Sequence, residues 1–418
     1  MALQFHALSY GLVASFAYNA TTVTQPFMLK GVNWFGFETE TFSPHGLWSQ
    51  SMDYLLGFLH DNKFNAIRVP FSVEFVEKMD TQIPLGIDIS KNPFLHRKSC
   101  GEVLDVLVEK CKRKGILVMP DMHRMQSNGG IPPLWYDGAY TEARVIEAWK
   151  KLVARYKHDP YVFAVDLKNE PHGYARWGGM NPQLDWAKAA ERIANEVLKV
   201  NPRLLVFVEG VEGRRDGTRT WWGGTLDGVI SRQPKLRVPY KLVYSPHVYG
   251  PDVYMMPSFT KPDFPRNMPK IWTEDWGYLR TKKRGVVVIG EWGGRNIPGT
   301  LDARWHKAFA DYLRNIGLAC STFYWTLNPN SADTGGLLQD DWKTPVLFKM
   351  DTLARLCPNP TRIPIKTGML PVPIFPFATN ISLLTPCDIA PASEWVACNN
   401  KILSFVSKLH LIESRKKE

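Results

Sequence analysis

Two carboxylates in this 418-residue sequence stand where apolar runs end. Glu170 closes the run that opens VFAVDLKNEPHG at 162–173, and Glu291 follows GVVVIG at 285–290. Continuous apolar runs of this length suit strands buried on both faces, and Pro171 stops the first of them from continuing. Asn169 and Glu170, side by side at such an end, are costly to bury unless solvent or a ligand satisfies them. Arg68, His123, His247 with Tyr249, and Trp325 lie at comparable exits. Two opposed carboxyl groups can break a glycosidic bond. The protonated one gives its proton to the departing oxygen, and the ionised one attacks the anomeric carbon; at about 5–5.5 Å apart they retain the configuration through a covalent intermediate.

The neighbours fit that chemistry. Arg68 offers a fork of donors that holds Glu291 ionised, and the resulting negative charge keeps Glu170 protonated. Asn169 can donate to the sugar 2-OH, a contact that strengthens as the oxocarbenium ion develops. His123, His247 and Tyr249 would fix sugar hydroxyls and the nucleophile, with Trp325 as an apolar floor. Glu38, Glu209 and Glu212 are rival carboxylates near strand exits. The joint occurrence of these polar side chains at successive exits favours Glu170 and Glu291, since a three-residue string such as NEP recurs by chance.

Eight apolar runs would carry these exits: 27–37, 66–71, 115–120, the run from 162, 204–208, 241–245, 285–289 and 320–325. Helical spacing appears at 52–59, 103–111, 145–156, 186–200, 302–316 and 345–356. The alternation predicts an α/β protein, a (β/α)₈ TIM barrel, whose chemistry sits at the C-terminal ends of the strands. The fourth and seventh strands then face one another. No GxGxxG follows the first run, which argues against a dinucleotide fold. The barrel is expected over 23–357, with a leader or signal segment at 1–22 and a Pro-rich linker and short tail at 358–418.

A formal charge of +11 is spread along the chain without a nucleic-acid-binding motif, so a solvated basic surface is expected. The six cysteines show no CxxC spacing, which excludes a structural zinc site of that type; Cys387 and Cys398 are the best candidate disulfide pair. No apolar run is long enough to span a membrane. Residues 7–17 form a short apolar segment ending in Ser15-Phe16-Ala17, a signal-like pattern without a basic residue before it. If the chain is secreted, Asn19 and Asn380 are glycosylation acceptors.

The sequence resembles glycoside hydrolase family 5, and more narrowly its bacterial-type endo-β-1,4-glucanases, the cellulases. The resemblance rests on LKGVNWFGFET at 29–39, IRVPFS at 67–72, DLKNEPHG at 166–173, VEGVEG at 208–213, YSPHVYGPDVY at 244–254, IGEWGGR at 289–295 and YWTLNPNSADTGGLLQDDW at 324–342. It implies Glu170 as acid/base and Glu291 as nucleophile, with Arg68, His123, Asn169, His247, Tyr249 and Trp325 at the family's remaining active-site positions. Trp34 and Trp222, with Trp48, Trp177 and Trp221, are candidates for stacking on further glucose units. Two departures stand out: Lys168 where relatives often have His, and Trp292 where Phe is common. A cation at 168 that pointed into the cleft would depress the pKa of Glu170. The implied protein is a secreted monomer that takes a β-linked polysaccharide and needs neither cofactor nor metal. The alternatives are a β-mannanase, a xyloglucan-active enzyme, a non-catalytic glycan-binding barrel and, if clustered His/Asp ligands were present, a metal-dependent hydrolase.

Overall fold

The computed structural model describes residues 3–8, 11–18 and 21–363. Three antiparallel strands come first, β1 (Gln4–Leu8), β2 (Gly11–Tyr18) and β3 (Thr21–Pro26). A parallel sheet follows, built from β4 (Leu29–Asn33), β5 (Ala66–Ser72), β6 (Leu117–Arg124), β7 (Ala164–Asp166), β8 (Leu205–Val208), β9 (Leu242–Tyr244), β10 (His247–Tyr249), β11 (Ile289–Gly293) and β12 (Ser321–Tyr324).

The sheet closes on itself because β9 and β10 are one barrel strand interrupted at Ser245-Pro246, where proline supplies no N–H to the ladder. β9 pairs with β8 and β10 with β11. Tyr244 N–H donates to Val286 O (2.8 Å), and Val288 N–H donates to Tyr244 O (3.0 Å), which joins the two edges. The result is a (β/α)₈ barrel. Inside its lower half Gly31 is required, since a Cβ there would lie 2.2 Å from the Phe323 ring.

Helices between strands form where apolar residues recur at helical spacing. In the helix Trp186–Val200, Trp186, Ala189, Ala190, Ile193, Ala194 and Val197 are buried, and the Asp185 side chain accepts from Lys188 N–H at the N-cap. Its bounds are those that the sequence predicts. The first strand stops at Asn33, short of the expected 37, because the Asn328 amide takes over both main-chain groups of Phe35: its Oδ1 accepts from Phe35 N–H (3.1 Å) and its Nδ2 donates to Phe35 O (3.1 Å). Between β8 and β9 the chain makes only a 3₁₀ turn, Asp227–Ile230.

The N-terminal sheet packs against the base of the barrel. Ala7 and Leu8 lie in β1 and residues 11–17 in β2. Phe5, Ala7, Leu12 and Ala14 are buried against Phe27, Phe163, Leu117, Phe207 and Phe323, so the sheet plugs the base of the barrel. Phe5 meets Phe27 and Phe163 edge to face at 5.1 and 5.2 Å. Lys241 Nζ donates to Phe5 O (2.7 Å) and Ala7 N–H to Tyr240 O (2.7 Å).

Residues 361 and 363 also reach the base of the barrel. Thr361 N–H donates to Met28 O (2.9 Å), Thr361 Oγ1 accepts from Met28 N–H (2.8 Å), and Ile363 joins the buried base. Cys320 and Cys357 form a disulfide across 37 residues, tying β12 to the end of the helix Leu347–Leu356; loop entropy alone makes such a bond worth about 3–5 kcal/mol. Cys387 and Cys398 lie outside the described residues.

Replacing Phe5 by Ala is expected to lower unfolding stability by about 3 kcal/mol while leaving kcat/KM at its original value. Denaturant melts and steady-state rates of the variant check this.

Candidate active site

The top layer of the barrel interior is polar, and its centre is Arg68, which has no exposed surface. β5 carries it beside Asn33 of β4 in register. Its Nε donates to Asp166 Oδ2 (2.9 Å), and its Nη1 to Asn33 Oδ1 (3.0 Å) and Glu291 Oε1 (2.5 Å). Its Nη2 donates to Asn169 Oδ1 (3.0 Å) and Glu209 Oε1 (3.2 Å) and lies 3.0 Å from Asp121 Oδ1. Four buried carboxyl groups therefore share one guanidinium. Burial pushes Asp121 and Asp166 up to about 7, with Arg68 pulling the other way.

Glu291 behaves differently. Burial again opposes its ionisation, but His247 and Arg68 outweigh that cost and the Tyr249 hydroxyl, donating to Oε2 at 2.5 Å, adds to them, so its pKa lies below the ordinary value. Burial pushes Glu170 up to about 7, helped by the charge of Glu291. The imidazole of His247 sits between the two, with Nδ1 3.2 Å from Glu170 Oε1 and 3.4 Å from Glu291 Oε2. Burial would neutralise it, yet Glu209 and Glu291 raise its pKa well above the ordinary value and make it an imidazolium. Oxygens of Glu170 and Glu291 lie within 4.8 Å of one another.

His123 is held neutral, chiefly by burial. Its Nδ1 is 2.7 Å from Asp121 Oδ2 and its Nε2 is 3.4 Å from Asn169 Nδ2. With Nδ1–H donating to Asp121, Nε2 accepts from the amide, whose oxygen is already committed to Arg68. That fixes which way Asn169 faces. Trp325 is half-buried between Phe35 and His123, near-parallel to both with centroids 5.6 Å apart.

Over residues 24–331 the chain matches the cellulase family, glycosyl hydrolase family 5. It belongs to that family. An endoglucanase of Paenibacillus polymyxa is 44% identical over 330 residues, 78% of this chain and 82% of that protein. The major extracellular endoglucanase of Xanthomonas campestris is 40% identical over 333 residues, 78% of this chain and 67% of that protein. An endocellulase of Pyrococcus horikoshii, solved in complex with cellotetraose, superposes with a TM-score of 0.80 at 38% identity, covering 85% of this chain and 98% of its own.

This family-5 chain uses the rival carboxylates as main-chain acceptors. Glu38 Oε2 accepts from Gly36 N–H (2.7 Å), Glu209 Oε2 from Glu170 N–H (2.7 Å) and Glu212 Oε2 from Gly173 N–H (2.9 Å). Among the described residues, ligand atoms of Asp166, Glu209 and His247, and of Glu170, His247 and Glu291, approach closely enough to hold an ion.

Trp34 does not serve as a stacking surface. It is 1% exposed, with its indole N–H donating to His45 O (2.9 Å), because the residue that turns toward the cleft is its neighbour Phe35. Trp222 is 42% exposed and lies flat on His172 at 3.7 Å, and Nδ1 of His172 in turn is 2.7 Å from Glu170 O. Trp48 is similarly exposed, Trp221 is half-buried against Tyr249, and Trp177 is buried. Lys168 is fully buried and donates to Asn169 O, not into the cleft, and Glu170 keeps its raised pKa. Asn33, Asp121 and Asp166 are functional neighbours that the motif reading passed over. Strand alternation held the clue, since Asp121 shares a face with His123.

His247→Asn removes the positive charge between the two carboxyl groups. Both lose a partner for their ionised forms, so both limbs of the pH profile of kcat/KM are expected to move upward, by about one unit. In the unaltered protein the basic limb is expected near 7, from Glu170, and the acidic limb below the ordinary glutamate value, from Glu291.

Proposed function

We propose that this chain is an endo-acting β-1,4-glucanase that cleaves cellulose or related β-glucans with retention of configuration. The observation that carries the reading is the approach of two carboxyl groups, oxygens within 4.8 Å of one another, with opposite protonation preferences. That spacing admits a sugar carbon but not the extra water an inverting enzyme needs, whose carboxyls stand about 6.5–9.5 Å apart. The endoglucanase relatives, and the cellotetraose held by the Pyrococcus horikoshii endocellulase, support β-1,4-glucan as the substrate.

In the first step Glu291, ionised by His247, Arg68 and Tyr249, attacks the anomeric carbon while Glu170 protonates the leaving oxygen. The bond from Glu291 to the sugar consumes its negative charge. Glu170 thereby loses the charge that favoured its protonated form, and its pKa falls. It then takes a proton from the incoming water, which attacks the glycosyl ester and frees Glu291. Asn169, its oxygen fixed by Arg68, keeps an N–H for the sugar 2-OH. Trp325 forms the floor, and Trp222 is placed to stack on a neighbouring glucose. By analogy with the extracellular Xanthomonas campestris relative, the enzyme acts outside the cell.

Incubation with soluble β-1,4-glucan, followed by NMR of the new reducing ends, is expected to show the β-anomer first. Early α-anomer, or cutting of β-mannan alone, would overturn the mechanism or the substrate respectively. Glu291→Gln is expected to lower kcat by roughly 10³-fold or more while still binding cello-oligosaccharide, as titration calorimetry would report.

A further inference from the structure

The peptide unit joining Asn169 to Glu170 is gripped at both ends by buried side chains from different elements. Its carbonyl oxygen, Asn169 O, accepts from Lys168 Nζ. Its N–H, on Glu170, donates to Glu209 Oε2 at 2.7 Å. Lys168 and Glu209 are both wholly buried. The unit needs such a grip, for Glu170 has φ +53°, a left-handed conformation that costs a non-glycine residue about 1–2 kcal/mol.

Glu209 is itself held on several sides. Its main-chain oxygen accepts from the Trp186 indole N–H (2.8 Å), and its Oε1 lies 3.2 Å from Arg68 Nη2 and 3.1 Å from His247 Nε2. The opposite loop leaves room for this arrangement. Gly223 (φ +65°) donates its N–H to Pro171 O at 3.2 Å, and a Cβ there would stand 2.3 Å from Glu209 Oε2 and 3.3 Å from Glu170 Cα.

We propose that Lys168 and Glu209 act as a clamp on this peptide unit, and that its task is to aim the Glu170 carboxyl at the leaving oxygen. The inference rests on the reading of Glu170 as acid/base. The side chain of Glu170 departs from the Cα that directly follows the clamped unit, so rotation of the plane swings the carboxyl. Lys168 and Glu209 are thus positioning residues, engaged with the main chain and not with sugar. Release of either arm lets Glu170 relax its φ and lengthens the proton transfer, and a displacement of about 1 Å is enough to cost about 10²-fold in rate. The loss falls only on substrates whose leaving group needs a proton.

The test compares kcat/KM for cellotetraose with that for dinitrophenyl β-cellobioside, whose leaving group departs unprotonated. In the full chain, Lys168→Met is expected to lose about 10²-fold on cellotetraose while staying within a few-fold of wild type on the aryl substrate. Lys168→Gln, a neutral donor of shorter reach, is expected to show a smaller split in the same direction and carries the comparison should Lys168→Met fail to fold. Gly223→Ala, whose methyl group crowds Glu209 Oε2, is expected to reproduce the split from the other arm. Parallel losses on both substrates, or none on either, would overturn the clamp. Glu170→Gln is the reference. If it shows the split and the Lys168 variants do not, the clamp alone fails; if it leaves both rates unchanged, the acid/base reading fails.

Discussion

A single guanidinium organises the upper half of this barrel. Arg68 is buried without exposed surface and reaches Asp121, Asp166, Glu209 and Glu291 as well as two amide oxygens. The groups come from β4, β6, β7 and β11 and from the loops that leave β7 and β8. Arginine suits the position because its planar fork presents donors in several fixed directions and stays charged however deeply it is buried. Removing one partner of a buried ion pair commonly costs about 3–5 kcal/mol, and here several carboxyl groups would lose their partner at once. Ring closure and the protonation pattern of the site therefore depend on the same contacts.

The protonation pattern follows from where each carboxyl group stands relative to two cations. Glu291 meets both Arg68 and His247 and accepts from Tyr249, which suffices to overcome burial. Glu170 meets only the imidazolium, beside a negative neighbour, and burial prevails. Two chemically identical side chains acquire opposite roles through a difference of one close cation and one hydroxyl donor. Water is kept from the site from below by the aromatic and aliphatic base, which the N-terminal sheet completes with Phe5, Ala7, Leu12 and Ala14. Low polarity beneath the charged layer strengthens every electrostatic contact above it.

Much of this was legible from local pattern. The order of strands, the helix Trp186–Val200 and the placement of Glu170 and Glu291 at the ends of apolar runs follow from periodicity and from proline, which act over a few residues. Arg68, His123, Asn169, Glu170, His247, Tyr249, Glu291 and Trp325 do converge, whereas Trp34 and Trp177 are buried. An aromatic residue at a strand exit can turn outward into the barrel wall or inward over the ligand, and a shift of one residue decides between Trp34 and Phe35. The apolar stretch at 7–17 is legible only as composition, which suits a signal segment and a core-sealing strand alike.

The sequence by itself determined the fold class, the family and the two carboxyl groups, because each depends on residue type and short-range order. Only the tertiary structure decided that Asn33, Asp121 and Asp166 surround Arg68, that Cys320 pairs with Cys357, and that Lys168 grips the main chain beside Glu170 instead of entering the cleft. Those contacts join residues far apart in the chain, as Arg68 and Glu291 are, or depend on which way a side chain turns at the end of a strand. Both are fixed only when the ring of strands closes, for closure brings remote positions to one level of the barrel and leaves each buried polar group to find its partner there.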